Sequence, residues 1–217
     1  MPATDSLFSD VLDCVPDFEI ENRLRSDGFA RVAGVDEAGR GPLAGPVTAA
    51  AVILDPDHIP QGLNDSKKLT ETSRELLFTE ILKTAHVSWS CAPAQVIDQI
   101  NIREATLLTM TNAVHRLPLR ADAAIIDGRD IPQGLTRIGR AYVKGDARSL
   151  SISAASIVAK VIRDRMMMAA AEVFPLYGFD RHKGYGSKTH RDAILNHGPC
   201  ALHRMSFSPM KDLPRHA

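Results

Sequence analysis

Residues 31–54, RVAGVDEAGRGPLAGPVTAAAVIL, constrain the fold more than any other stretch of the chain. Val32 and Val35 belong to a short β-branched run, a Gly/Pro-rich segment follows, and Val47–Leu54 forms a second apolar run broken only by Thr48. That pattern reads as strand, turn, strand, with the second strand buried. It is also the longest apolar run in the chain, and eight residues fall far short of the ~18 that a membrane span requires.

Later segments alternate. A helix is predicted over Thr70–Lys83, where Thr72 and Glu75 stand at capping-box spacing and Leu76, Leu77, Ile81 and Leu82 share a face. A strand is predicted over His86–Cys91. A long helix over Pro93–Leu117 follows, with Val96, Ile97, Ile100, Ala105, Leu108 and Val114 in phase. Ala123–Asp127 (AAIID) and Ala141–Lys144 read as short strands. Ser149–Phe174 reads as a helix whose small residues suit close packing on a sheet, with Ile152, Ser156, Ala159, Val161 and Met167 among its inner positions. The remainder, 176–217, is rich in Gly and His, with one short helix near Thr189–Asn196. Early paired strands followed by alternating helices and strands imply an α/β fold: a mixed sheet with helices on both faces. Residues 1–27 read as a peripheral acidic extension and 28–217 as a single domain.

Net charge is zero over the 217 residues, but its distribution is uneven. Residues 1–22 carry six acids and no Lys or Arg, whereas residues 137–217 carry 14 Lys and Arg against six Asp and Glu. A basic half of this kind suits phosphate tracking, and equally a solvated surface. The N-terminus has acids where a secretory leader has a basic region and an apolar stretch. Cys14, Cys91 and Cys200 are odd in number and lack metal-ligand spacing, so reduced thiols in a cytoplasmic protein are expected.

Four acids stand out by position. Asp36 and Glu37 end the first strand and lead into Gly39-Arg40-Gly41; Asp127 ends AAIID before Gly128; Asp146 follows Lys144-Gly145. Carboxylates at strand ends beside glycines form the arrangement that hard divalent cations take, one or two per ion with waters and substrate phosphates completing the shell. Two ions ~3.5–4 Å apart serve phosphodiester hydrolysis. Singly, each acid has an ordinary alternative: Asp127-Gly128 and Gly145-Asp146 are common turn pairs, and Asp36 could cap a helix. The chain has neither G-x-x-x-x-G-K-[ST] nor G-x-G-x-x-G in a strand–turn–helix setting, which disfavours a nucleotide-binding ATPase or dehydrogenase.

DEAGRGPLAGPV at 36–47, DSKKL at 65–69, IDG at 126–128, KGD at 144–146, SAASIVAKVIRDRMM at 153–167 and RHKGYGSKTH at 181–190 resemble, in order and spacing, the signature blocks of bacterial ribonuclease HII. The resemblance spans roughly residues 30–208. It implies a ribonuclease H-like fold, a central five-stranded mixed sheet flanked by helices, with a small C-terminal helical portion completing the substrate groove. It also implies endonucleolytic cleavage of RNA in RNA/DNA hybrids and at single ribonucleotides in duplex DNA. The cut would fall 5′ of the ribonucleotide and leave 3′-hydroxyl and 5′-phosphate ends. Asp36, Glu37, Asp127 and Asp146 match the family's metal-binding acids, for Mg²⁺ or Mn²⁺. Gly39, Arg40 and Gly41 match the loop that reads the ribose 2′-hydroxyl, the group that distinguishes RNA from DNA. Tyr185 matches the tyrosine that packs on the junction sugar.

Without the resemblance, Tyr185 is an ordinary loop tyrosine and the glycines are turn formers. Lys67, Lys68, Lys183 and Lys188 are candidate phosphate contacts, though a lone lysine is as readily solvated. Arg163, Asp164 and Arg165 are expected to form structural ion pairs or phosphate contacts; His182 and His190 could orient groups near the site, but loop histidines usually face solvent. Other two-metal nucleases of this fold, a ribonuclease HIII-like enzyme or a junction resolvase, fit less well, because a DNA-only resolvase has no 2′-hydroxyl to read. A silent nucleic-acid-binding relative would lack at least one of the four acids, and all four are present. A monomer is the default expectation.

Overall fold

The two strands expected first in the chain form the middle of a five-stranded sheet. The computed structural model describes residues 15–212. Its strands are β1 (Val32–Ala38), β2 (Val47–Leu54), β3 (Ala85–Ala92), β4 (Ala123–Asp127) and β5 (Gly139–Tyr142), in spatial order β3-β2-β1-β4-β5. β2 runs antiparallel to β1 and β3, whereas β4 runs parallel to β1 and β5. β1 is therefore both the central strand and the one at which strand direction changes.

Side chains alternate between two helical layers. On one face Ala33, Val35, Ala49, Ala51, Ile53, Ala124 and Ile126 pack against Met110, Ala113 and Val114 of α3 (Ala94–His115). On the other, Ala50, Val52 and Leu54 meet Phe78 and Ile81 of α2 (Glu71–Thr84) and Ala154, Ile157, Val158 and Val161 of α4 (Leu150–Val173). Burial on both faces explains why β2 is a continuous apolar run rather than an alternating one. Beyond α4, α5 (Phe179–His182) and α6 (Lys188–His197) gather around Phe179, Tyr177, Met167 and Ala193, a small separate core. No helix among the described residues is long and apolar enough to cross a membrane.

Three local readings change. The N-cap of α2 is Thr70, whose hydroxyl accepts from Ser73 N at 3.1 Å, not a Thr72–Glu75 box. Its inner stripe is Phe78 and Ile81, while Leu76 and Leu82 face solvent. In α3, Asn101 has φ 65° and its side chain accepts from Glu104 N, so a second helical run starts there with a new cap. The phase shifts at that point, which is why Ile100 and Leu108 are exposed while Ile97, Ala105 and Val114 are buried.

The N-terminal segment is also tied down more firmly than a peripheral extension at 1–27 implies. Residues 1–14 lie outside the described residues, but 15–27 belong to the body. Asp17 bridges Ser149, and Leu24 of α1 (Glu19–Ser26) packs with Val32, Ala123, Ile125 and Ile152. Glu21 is fully buried, and its Oε1 accepts from Ser149 Oγ at 2.6 Å and Ser151 N at 2.9 Å. Together with Ser149, whose hydroxyl accepts from Ile152 N, it caps the positive end of α4.

That end of α4 lies directly on β1. A Cβ on Gly34 would stand 2.1 Å from the carbonyl carbon of Ser151 and 2.4 Å from Ile152 N, backbone atoms that can yield only if the helix moves. Gly34→Ala is accordingly expected to cost about 1–3 kcal/mol by overpacking, and Glu21→Ala about 0.5–2 kcal/mol by loss of the cap. At roughly 2–4 °C per kcal/mol for a chain of this size, both should show in thermal melting; an unshifted midpoint for Gly34→Ala would contradict the close approach.

Candidate active site

β1 and β4 remain paired as far as Val35 opposite Ile126, and separate one residue later. Asp36 and Asp127 occupy the first positions past that fork. By alternation both face α4, Asp36 with Gly34 and Asp127 with Ile125. Asp36 and Glu37 thus lie within β1, which runs on to Ala38, rather than at its end. Asp146 comes from a single 3₁₀ turn, Gly145–Ala147, immediately before α4. Gly145 N donates to Asp127 Oδ1 at 2.7 Å, and Ser153 Oγ donates to the Asp146 carbonyl at 2.7 Å, so both sides fix the turn. Carboxyl ends of parallel strands, beside a change in strand direction, are where open α/β sheets place their sites.

One oxygen from each of Asp36, Asp127 and Asp146 lies within 4.8 Å of the others. Glu37, next along the strand, points away from this trio. It lines a hollow of only about 30 Å³ with Arg40, Arg103 and Asp127, and pairs with Arg40 Nη1 at 3.4 Å. So shallow a surface suits a polymer lying across it better than an engulfed small molecule.

Burial raises the Asp36 carboxyl well above the ordinary range, and Glu37 and Asp127 raise it further. Asp146 is raised by burial, then by Asp127 and Asp65. Glu37 is raised by burial and, to a smaller extent, by Asp127, against the pull of Arg40. Left to themselves these acids repel one another and resist ionisation. Clustered hard oxygen donors of this kind fit Mg²⁺ or Mn²⁺, which would reverse that balance.

Lys67 stands over the cluster, its Nζ 3.7 Å from Asp146 and 3.9 Å from Asp65. Burial pulls its ammonium down, but Asp65, Asp36, Asp146 and Asp127 together hold it above its ordinary value. Its loop is anchored from below, where Ser66 Oγ meets Ser156 Oγ of α4 at 2.8 Å.

The Gly39–Gly41 loop is held by two arginines. Arg163 and Arg204 are both fully buried without a carboxylate partner. Arg204 donates to the carbonyls of Gly39, Arg40 and Gly45 at 2.5–3.1 Å, and Arg163 to those of Pro46 and Ala44 at 3.0 and 3.2 Å. Gly39 has φ +94°, and a Cβ there would meet Arg163 Nε at 2.1 Å, so only glycine fits. Tyr185 is half exposed, with the Arg163 guanidinium carbon 5.8 Å from its ring centre. Its segment is joined to the loop by Leu43 N donating to Gly184 O at 2.8 Å. Lys183 does not reach the acids: its ammonium turns back on the Asp180 carbonyl, on a backbone with φ 49°.

Beneath Tyr185 lies a histidine network where solvent-facing histidines were expected. His190 and His203 are buried, and His182 stacks on His190 at 4.4 Å. His190 Nδ1 faces the Tyr185 carbonyl at 2.9 Å, and a carbonyl only accepts, so the proton is assigned to Nδ1. His190 Nε2 then accepts from His203 Nε2 at 3.0 Å, leaving His203 Nδ1 to accept from Cys200 N at 2.8 Å. Both rings are neutral in this pattern. Burial lowers His190, and burial together with His190 lowers His203 to about 4.

The sequence did carry one sign of the buried arginine: Ile152, Ser156, Ala159, Arg163 and Met167 share a helical stripe, which places Arg163 among inner positions. Asp164 and Arg165 form the expected structural pairs, with Lys160 and Glu75. No comparable local signal marks Arg204, His190 or His203.

Comparison with known proteins agrees with this geometry. The family model described as Ribonuclease HII matches residues 33–210. The chain is 59% identical over 199 residues to the ribonuclease HII of Rhizobium meliloti (strain 1021), covering 92% of each, and 54% identical over 210 residues to that of Agrobacterium fabrum (strain C58 / ATCC 33970), covering 97% of this chain and 96% of the relative. Among solved structures, ribonuclease H2 from Pyrococcus horikoshii OT3 superposes with a TM-score of 0.72 at 27% identity, over 84% of this chain and 96% of that one.

Two outcomes follow from the charges. Asp36→Asn removes a buried acid that others repel, so the metal-free variant should melt at or above the parent temperature, and added Mg²⁺ or Mn²⁺ should raise its midpoint less than the parent's. A lower metal-free midpoint would remove the repulsion argument. His190 and His203 titrate lower when folded, so the unfolded chain takes up protons first as pH falls below about 6.5. Stability should decline from there toward pH 4, and His203→Gln should flatten that decline in melts taken across this range.

Proposed function

The chain belongs to the ribonuclease HII family, metal-dependent nucleases that cut the RNA of RNA/DNA hybrids, and we propose that it also nicks duplex DNA 5′ of single embedded ribonucleotides, leaving 3′-hydroxyl and 5′-phosphate ends. The observation that carries this reading is the convergence of Asp36, Asp127 and Asp146 beside a Gly39–Gly41 loop held in a fixed conformation. We assign to the protein the removal of ribonucleotides during DNA replication and repair, as a cytoplasmic monomer.

Asp36, Glu37, Asp127 and Asp146 would hold the ions, with Glu37 approaching from the other face of β1. When bound, two divalent cations supply activation of the attacking water and stabilisation of the leaving oxygen. The chain's own groups do the rest. Buried carboxylates with raised proton affinity bind cations in competition with protons. Lys67, largely exposed and resting on Asp146, is free to move from the acids to a substrate phosphate as a point charge. Arg40, paired loosely with Glu37, is placed for the same exchange. Backbone amides at Arg40 and Gly41 meet the ribose 2′-hydroxyl, the Tyr185 ring carries the neighbouring deoxyribose, and Lys183 contacts the backbone further along.

The test uses the purified protein with Mg²⁺ or Mn²⁺ and three labelled duplexes: all DNA, DNA with one ribonucleotide, and RNA/DNA hybrid. Cleavage is expected for the second and third only, abolished by EDTA. Because loss of groups that merely support a metal ligand costs ~10–100-fold, Asp36→Asn should lower the rate by at least roughly a hundredfold. Cleavage should also weaken as pH falls, since protons then displace the cation. Cutting of the hybrid alone would keep the nuclease and remove the single-ribonucleotide activity; cutting of all-DNA duplex would overturn the reading.

A further inference from the structure

Two cations enclosed in protein without an anion are costly, because an ionised group loses its hydration on burial. At Arg204 and Arg163 the loss is offset by backbone carbonyls, five of them from the single stretch 39–46. The loop is in effect wrapped around the two guanidiniums with its oxygens turned inward. A trans peptide is planar, with its C=O and N–H pointing in opposite directions. Where Arg204 captures the Gly39 carbonyl, the N–H of Arg40 is turned outward; where it captures the Arg40 carbonyl, the N–H of Gly41 is turned outward. Both residues are exposed, and neither amide has a hydrogen-bond partner among the described residues.

We infer that Arg204 is a positioning residue for ribose recognition: by holding the Gly39 and Arg40 carbonyls it aims two adjacent backbone N–H groups at the 2′-hydroxyl, and so sets the discrimination between ribo- and deoxyribonucleotides. The inference rests on the proposed reading that this loop meets the ribose. Arg204 itself touches no substrate. Its planar fork engages three carbonyls from one buried position, and a lysine ammonium, a point donor on a flexible stem, cannot reproduce that. Arg163 reinforces the same loop from α4, with its guanidinium beneath the Tyr185 ring, so the two proposed sugar contacts share one buried support.

The experiment compares the parent protein with Arg204→Lys on duplexes carrying one ribonucleotide or one 2′-fluoro nucleotide at the same position. Fluorine keeps size and polarity but is a poor acceptor for an N–H. The parent should prefer the 2′-hydroxyl strongly. Arg204→Lys should reduce that preference at least tenfold, chiefly through KM, while Mn²⁺ binding measured by calorimetry stays within twofold. An undiminished preference, whatever the loss in absolute rate or melting temperature, overturns the inference. No preference in the parent itself would instead overturn the proposed role of the loop. Should Arg204→Lys not fold, amide exchange in the unmodified chain decides. The Arg40 and Gly41 N–H groups should exchange rapidly in the free protein and slow more than tenfold on a single-ribonucleotide duplex, with Ca²⁺ replacing the catalytic ion, but not on all-DNA. Protection of both amides in the free protein, or equal slowing on both duplexes, would sink the assignment.

Discussion

At Gly34 the backbone of β1 and the first turn of α4 come so close that one methyl group would collide with Ser151. The rest of the site depends on that approach. It brings the turn carrying Asp146, which immediately precedes α4, up to the fork where Asp36 and Asp127 emerge from two diverging strands. A helix held a side chain's width further out would leave Asp146 too far away to join Asp36 and Asp127. Ser151, Ala154, Ala155 and Ser156, small residues in the first two turns of the helix, are all buried. Glu21 and Ser149 secure its end, so even the N-terminal segment serves the geometry of the acids.

The molecule contains two kinds of uncompensated buried charge, and it treats them differently. The acids converge on one another with little inside the protein to neutralise them beyond the reach of Lys67 and Arg40, a state that favours the arrival of a divalent cation. The arginines are spread beneath a loop and bonded to its peptide oxygens, with only Arg163 Nη1 left without a hydrogen-bond partner among the described residues. One set of charges awaits a ligand and the other shapes a surface. Their meeting along residues 36–46 leaves no room for a side chain at position 39, where glycine fits between Arg163 and the Pro46 carbonyl.

Much of this was legible in the sequence, for identifiable reasons. β1, β2 and β4 follow from local β-branched and apolar runs, and the acids were conspicuous because they interrupt those runs. The mixed sheet with helices on both faces followed from element order, and the five strands from local runs, whereas the ribonuclease H-like arrangement came only through the family resemblance. What could not be read locally was mostly tertiary. Asn101 restarts a helix and breaks the expected phase of α3, and Phe78 replaces Leu76 on the inner face of α2 because α4 lies where it does. His190 and His203 resemble surface histidines until they are seen to bond to each other beneath Tyr185. Arg204 looked like one more cation in a basic half, and its meaning depends on a loop far away in the chain.

That distance bears on how the protein comes into being. The clamp and the loop it closes are separated by 165 residues, and Ser149 lies 128 residues from Glu21. Contacts of such long sequence separation form only after the entropy of closing a very large loop has been overcome, and they slow folding accordingly. During synthesis from the N-terminus, the strand bearing Asp36 and Glu37 exists well before Asp146, and Asp146 well before Arg204. A nascent chain can therefore gather acids before its loop is set, and the loop proposed to meet the ribose is fixed late.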